Sequence, residues 1–258
     1  MKMIFDTHAH YDDSAFDSDR DELLTKLFSE NVACIVNQGT TVELSKCSIA
    51  LAEQYENMYC AVGIHPECVT ENSLSELDEI RQLARHKKAV AIGEIGLDYY
   101  WDTPRDLQKA VFEQQLLLAE QLHLPVTIHD REAHGDVLAI IQKYRPKGIL
   151  HCFSGSVETA REIIRLGMYI GVGGVVTFKN SRKAVDVVAD IPLERIVLET
   201  DCPYLSPVPF RGKRNDSSMI QYVALKIAEI KHIPVEEVLK TTLENAKRVY
   251  QMERCVFQ

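Results

Sequence analysis

The chain has 258 residues, 46% of them hydrophobic, and a formal net charge of −9. That length suits one large domain or two small ones with a full core, and the acidic balance opposes non-specific attraction to polyanions, which excludes a nucleic-acid coating role. A nuclease stays open, because bound cations or a local basic patch can invert the sign of one cleft.

The N-terminus has no basic segment followed by an apolar run, and the longest weakly polar stretch, around Gly167 to Phe178, is too short and glycine-rich to span a bilayer. A soluble, cytoplasmic protein with no membrane role is expected. Cys34, Cys47, Cys60, Cys68, Cys152, Cys202 and Cys255 form no Cys-x-x-Cys pair. This odd, scattered set points to reduced thiols rather than a disulfide framework, and none is assigned to catalysis.

The first apolar run, residues 3–7, reads as a strand, and His8 and His10 follow at its end. Side chains at i and i+2 of a strand share a face, so the two imidazoles can stand side by side as two ligands of one metal would. Ser18-Asp19 supplies an N-cap for a helix carrying Leu23, Leu24, Leu27 and Phe28. Strands are expected at 33–37 and 59–63, with His65 just past the latter. Ser73-Leu74-Ser75-Glu76 has capping-box spacing ahead of Leu77, Ile80 and Ala84. A strand over 89–94 ends at Glu94, after which Leu107, Val111, Leu118 and Leu122 keep to one helical face.

The alternation continues. Strands over 126–129 and 148–151 end at His129 and His151, with a stripe of Val137, Ile140, Ile141 and Tyr144 between them. Val157, Ala160 and Ile164 mark a helix that Gly167 is placed to end. A strand over 169–172 follows, then a helix through Ala184, Val187 and Val188, and a strand over 195–199 that leads to Asp201. Ile220, Val223, Ala224 and Ile227 begin the helical C-terminal part, and Pro234 opens the last helix. The strands are nearly continuous in apolar character, as strands buried on both faces should be. Eight strands alternating with helices predict an α/β fold, a single-domain (β/α)8 TIM barrel over residues 1–258. A doubly wound open sheet is the rival, but it usually carries fewer strands, and for a nucleotide ligand it needs a glycine-rich turn that this chain lacks.

Reactive groups of such a barrel collect at the carboxyl ends of its strands. His8, His10, His65, Glu94, His129, His151 and Asp201 would then converge on one mouth, whereas His86, His123 and His134 fall in helices or loops. Taken singly, a histidine at a strand end is more often a hydrogen-bonded core residue than a ligand, and Asp201 could simply cap the turn after it. Glu94 lies in an apolar run, where a buried carboxylate needs a partner, most commonly a cation. The four imidazoles of His8, His10, His129 and His151 with the carboxylates of Glu94 and Asp201 exceed the needs of one tetrahedral zinc and suit two divalent ions, with Glu94 as the bridge. Mixed nitrogen and oxygen ligands favour Zn, Mn, Fe or Ni, and Mg less well.

Phe5-Asp6-Thr7-His8-Ala9-His10, Val62-Gly63-Ile64-His65-Pro66, Gly93-Glu94-Ile95-Gly96-Leu97-Asp98-Tyr99-Tyr100, Ile128-His129, His151-Cys152-Phe153-Ser154-Gly155 and Glu199-Thr200-Asp201-Cys202-Pro203-Tyr204-Leu205, leading to Arg211-Gly212-Lys213-Arg214-Asn215, follow one another in order along nearly the whole chain. In these segments the chain resembles the TatD family of metal-dependent deoxyribonucleases, within the amidohydrolase-like barrel superfamily. Carried over by position, the resemblance implies one metal held by His8, His10, Glu94 and Asp201, and a second by Glu94, His129 and His151. It implies that His65 contacts the substrate phosphate and that Asp201 also handles the proton of the attacking water, so that Asp201, His65 and Glu94 form the catalytic set. The activity implied is two-metal phosphodiester hydrolysis by a DNase trimming strands from an end, with DNA or RNA as substrate and no obligate protein partner.

Arg211, Lys213 and Arg214 cluster after the eighth strand and are expected to hold phosphates. After Asn215 the family often continues with an acidic residue and proline, whereas this chain reads Asp216-Ser217-Ser218, a departure that bears on substrate choice. An amide or lactone hydrolase on the same barrel is the first alternative. It would lack phosphate-gripping cations, and such relatives often bridge their metals with a carboxylated lysine where this chain has Glu94. A non-catalytic metal-binding scaffold is the second, and the full ligand set argues against it.

Overall fold

The computed structural model describes residues 3–252, so Cys255 lies outside the described residues. Eight parallel strands, β1 (Ile4–Ala9), β2 (Val32–Gln38), β3 (Met58–Val62), β4 (Ala89–Asp98), β5 (Val126–Arg131), β6 (Gly148–Leu150), β7 (Tyr169–Val172) and β8 (Ile196–Leu198), pair in chain order. Helices α1 (Arg20–Ser29), α2 (Val42–Gln54), α3 (Ser73–Leu83), α4 (Arg105–Leu122), α5 (His134–Tyr144), α6 (Val157–Arg165) and α7 (Arg182–Asp190) alternate with the strands, and α8 (Ile220–Lys231) and α9 (Val235–Val249) follow β8. This is the (β/α)8 barrel that the alternation predicts. Among the described residues no disulfide forms and no helix is long and apolar enough to cross a membrane.

Several local expectations are corrected. Helix α2 has no counterpart in the apolar stripes, because its buried face mixes Ser45 and Ser48 with Val42, Ile49, Leu51 and Ala52. Asp19 stands at the N-cap position of α1 without capping it. Its carboxylate instead receives both terminal nitrogens of Arg214, at 2.7 and 2.6 Å. Ser73 is the first residue of α3 rather than its cap, and its hydroxyl accepts from the Thr70 N–H. Strands β1, β2, β4 and β5 run past their expected ends, while β3, β6 and β8 stop one residue short, leaving Gly63, His151 and Glu199 just outside.

The interior of the barrel is filled by Phe5, Cys34, Val36, Ala61, Ala91, Ile149, Tyr169 and Val197, in one apolar cluster with Ala246, Val249, Tyr250 and Met252 from the end of α9 and beyond. Tyr250 stacks on Phe5 and donates its hydroxyl to the Thr7 carbonyl at 2.9 Å, so the C-terminal segment packs into the barrel interior at β1. Asn245 of α9 donates to the Leu193 and Ile196 carbonyls and ties that helix to the start of β8.

No regular ladder joins β1 to β8. Thr7 donates its hydroxyl to the Leu198 carbonyl, the Asp201 N–H donates to His8 O, and the His10 N–H donates to Cys202 O, the last two at 2.9 Å. These bonds bring together residues about 190 positions apart and close the seam.

Of the register shifts on β1 and β4, two flank candidate ligands. Between Asp6 and Ala9, β1 advances three residues while β2 advances two, and between Ile92 and Ile95, β4 does the same against β5. An extra residue of this kind re-aims side chains that strict alternation would place elsewhere, and here it falls around His8 and Glu94.

Gly96 follows the second shift, pairs with His129 and has φ +141°. A Cβ there would lie 2.1 Å from the His129 carbonyl oxygen. Gly96→Ala is expected to lower unfolding stability by roughly 3 kcal/mol or more, because close contact adds to backbone strain. Gly167→Ala, with φ +93° and no heavy atom within 4 Å of the added Cβ, isolates the strain alone and should cost about 1–2 kcal/mol. Denaturant unfolding of the two variants measures the difference.

Candidate metal centre

At the mouth of the barrel the side chains of Glu94, His8, His10, His65, His129, His151 and Asp201 meet. The two carboxylate oxygens of Glu94 have different neighbours. Oε2 lies 3.3 Å from His8 Nε2 and 3.5 Å from His10 Nε2. Oε1 lies 2.8 Å from His151 Nε2 and 3.0 Å from His129 Nδ1, with His65 Nε2 at 3.5 Å. Asp201 Oδ1 is 3.5 Å from both His8 Nε2 and His10 Nε2, which are themselves 3.1 Å apart. Asp201 takes a left-handed backbone (φ 57°), a conformation that aspartate tolerates better than most residues.

These distances test whether a cation fits. Four donors about 2.1 Å from a tetrahedral ion stand roughly 3.4 Å apart. His8 Nε2 and His10 Nε2 match that spacing with each other, with Glu94 Oε2 and with Asp201 Oδ1, at 3.1–3.5 Å, and His8, His10 and Asp201 form one cluster able to hold an ion. On the other side, Asp98 Oδ2 lies 3.0 Å from His129 Nε2 and fixes the ring proton there, which leaves the Nδ1 lone pair facing Glu94 Oε1 and, at 3.1 Å, His151 Nε2. The His129 lone pair and the Glu94 carboxylate oxygen, two acceptors 3.0 Å apart, need a cation or an extra proton between them, and a donor set of imidazole nitrogen and carboxylate oxygen fits a divalent metal.

The electrostatic surroundings of these side chains point the same way. Burial by itself would push His129 down, but its bonds to Asp98 and Glu94 outweigh that and hold it up at about 10. Burial likewise opposes charge on His10, and Asp201 and Glu94 outweigh it, raising His10 to about 9. For Glu94, burial favours the neutral acid, but the imidazoles of His151, His65 and His8 hold its carboxyl well below the usual range. Protons on His10 and His129 thus supply positive charge that the carboxylates demand, whereas burial pushes His8 down to about 4.

His65 groups with Glu94 and His129 among the side chains that could hold an ion, but its ring is oriented differently. Its Nδ1 accepts the N–H of Glu67 at 3.2 Å, so its proton sits on Nε2, the nitrogen aimed at Glu94. It presents a hydrogen-bond donor to the mouth rather than a lone pair. Arg211 donates to the Ser206 carbonyl and packs over the Phe178 ring at 3.7 Å; it and Lys213 are exposed in the loop after β8. Arg214, expected beside them as a phosphate grip, is taken up by Asp19 and the Ala15 carbonyl.

The family model of TatD-related DNases matches residues 5–251. The chain belongs to the TatD-related DNase family. It is 44% identical over 254 residues to the uncharacterised metal-dependent hydrolase YabD of Bacillus subtilis, covering 97% of this chain and 100% of the relative. It is 33% identical to the 3'-5' ssDNA/RNA exonuclease TatD of Cronobacter sakazakii, covering 96% of this chain and 97% of that protein. The crystal structure of YjjV, a TatD homologue from Escherichia coli, superposes with a TM-score of 0.90 at 33% identity, covering 96% of this chain and 98% of that one.

Three buried carboxylates of the site escape sequence reasoning. Asp98 supports His129. Glu199 accepts the Cys152 N–H at 2.5 Å with Oε1, which lies 3.9 Å below His151 Nδ1. Burial pushes Glu199 up to about 8, and its Oε2 and the Nδ1 atoms of His8 and His151 have no hydrogen-bond partner among the described residues. Asp6 accepts from the Thr200 and Ser217 hydroxyls and the Thr200 N–H. The criterion that marked Glu94, a carboxylate inside an apolar run, applies equally to Asp98 and Glu199. The departure at Ser217 is also explained: its N–H donates to the Tyr11 hydroxyl and its own hydroxyl to Asp6, and a proline offers neither donor.

A carboxylate behind a metal-binding imidazole fixes the ring and raises its basicity. Asp98→Asn is expected to weaken Zn2+ or Mn2+ binding by roughly 10- to 100-fold while leaving the fold intact. Competition against a chromophoric chelator, alongside circular dichroism, measures both.

Proposed function

We propose that this chain is a phosphodiester hydrolase acting on nucleic acid, a DNase-type exonuclease that uses two divalent cations held on either side of Glu94. The observation that carries the reading is the division of donors between the two Glu94 oxygens: His8, His10 and Asp201 gather at Oε2, and His129 and His151 at Oε1. The substrate class draws support from the relative named as an ssDNA/RNA exonuclease. When bound, the cations would polarise a phosphoryl oxygen and lower the pKa of a water toward neutrality.

The remaining chemistry belongs to side chains. Asp201 accepts the proton of the attacking water. Burial would favour its neutral form, but the bond to His10 and the charges of His8 and His151 hold it below the usual range, so it is ionised and ready to accept. His65 donates its Nε2–H to a phosphate oxygen. Burial keeps its pKa low, so the group acts as a neutral donor. Arg211 and Lys213 add positive charge to an otherwise acidic protein at the same end of the barrel.

Two measurements test the proposal. Asp201→Asn keeps size and one ligand oxygen but loses the base, and should lower kcat on a single-stranded oligonucleotide by about 10²- to 10⁴-fold with the fold intact. Activity close to wild type would place the base elsewhere.

Metal content after dialysis against a weak chelator tests the bridge. His8→Ala should empty mainly the site at Oε2 and His129→Ala the site at Oε1, whereas Glu94→Gln weakens both because two cations then repel with less compensation. Retention of two metals per chain by Glu94→Gln would end the bridging role.

A further inference from the structure

We infer that the barrel mouth carries a base-stacking subsite, with Tyr100 and Trp101 on one loop and Tyr204 on another, for the nucleobases flanking the scissile phosphate of a single-stranded nucleic acid. The inference rests on the nuclease reading and names what that site selects. Among the described residues three aromatic side chains are largely exposed: Tyr100 at 54%, Trp101 at 44% and Tyr204 at 56%. All three stand on loops that leave the carboxyl ends of ligand-bearing strands. Tyr100 and Trp101 follow β4, and Tyr204 lies three residues after Asp201.

These rings are held at the mouth. The Tyr100 N–H donates to Asp98 Oδ1 at 2.9 Å, and the other oxygen of that carboxylate holds His129. Arg131, at the end of β5, lies 3.8 Å over the Tyr100 ring, and Trp101 meets Tyr100 edge-on with centroids 5.0 Å apart. Thr103 donates to the Glu67 carbonyl at 3.4 Å, tying this loop to the one that carries His65. On the loop after β8, the Tyr204 N–H donates to the Asp201 carbonyl and its hydroxyl to Asp13 Oδ2 at 2.8 Å. Both aromatic groups are therefore anchored next to candidate ligands, with their rings open to solvent.

An anchored, exposed ring beside a phosphate-binding centre suits a base, because every base offers a flat π-face whatever its identity. Charge points the same way. The chain carries a net charge of −9 and Arg214 is committed to Asp19, so a broad basic groove is not what draws a strand in. Stacking adds to the limited attraction that His65, Arg211 and Lys213 offer the phosphates. It also selects single strands, because the bases of a duplex are already stacked on one another. Binding should accordingly show little sequence preference and a shallow salt dependence.

Trp101 is the one tryptophan of the chain, so its fluorescence reports on the subsite directly. The experiment compares a short oligothymidylate with an abasic strand of equal length and charge. Binding is followed by Trp101 fluorescence in metal-loaded Asp201→Asn protein, and cleavage by KM in the metal-loaded wild type. Quenching by the oligothymidylate alone, and a KM about tenfold lower than for the abasic strand, are expected. Trp101→Ala and Tyr100→Ala should each shrink that tenfold difference, and Trp101→Phe should restore most of it. Cleavage of both strands with equal KM and no quenching would overturn the stacking subsite while leaving the nuclease reading in place. Failure to cleave either strand would overturn the nuclease reading, and the subsite with it. If Trp101→Ala instead altered the sedimentation of the protein and left strand binding unchanged, the rim would be a contact between copies of the chain, and the subsite would again be overturned.

Discussion

The joint between the first strand and the segment after the last one governs everything at the mouth. Asp6 of β1 accepts hydrogen bonds from the Thr200 N–H, the Thr200 hydroxyl and the Ser217 hydroxyl, at 3.0, 2.6 and 2.7 Å. Full burial raises its pKa to about 6 even with these donors in place, so their geometry matters. One residue pair above, the Asp201 N–H and His8 carbonyl lock the two segments together, followed by the His10 N–H and Cys202 carbonyl. His8, His10 and Asp201 can meet only because this seam closes.

Closure creates an electrostatic problem that the site then exploits. Buried carboxylates without compensating charge are strongly disfavoured. At this mouth compensation comes from imidazoles protonated well above their ordinary range, His10 at about 9 and His129 at about 10. A cation and these protons serve the same need and therefore compete, so metal loading releases protons and strengthens as pH rises. The shells behind the site are graded to match. Asp98 orients His129 from one side, while Glu199 lies beneath His151 in a wholly buried position.

Around this charged centre the rim has a different character. Arg214 packs over Phe16 and pairs with Asp19, which makes it a brace between the loop after β8 and the start of α1. Arg211 rests on Phe178 of the loop after β7. Cations that look like one cluster in sequence thus serve separate loops, while exposed aromatic side chains stand on the loops after β4 and β8. Interior and rim differ physically: titratable groups are concentrated where water is excluded, and flat aromatic surface is exposed on the loops at the rim.

The barrel was legible from sequence because its signals are local. Short apolar runs, helical stripes and the glycine at position 167 each act within a few residues, and their alternation leaves little choice of architecture. Placing reactive residues at strand ends also needed only the direction of the chain. Helix α2 was missed because its buried face uses serines, which carry no apolar stripe. The register shifts around His8 and Glu94, the use of separate Glu94 oxygens, the support of His129 by Asp98 and the diversion of Arg214 to Asp19 were decided by the tertiary structure. Each depends on which residues from distant strands and loops face one another after closure. A spacing of two or four along the chain cannot encode that, because a single extra residue in a strand reverses the face on which every later side chain appears.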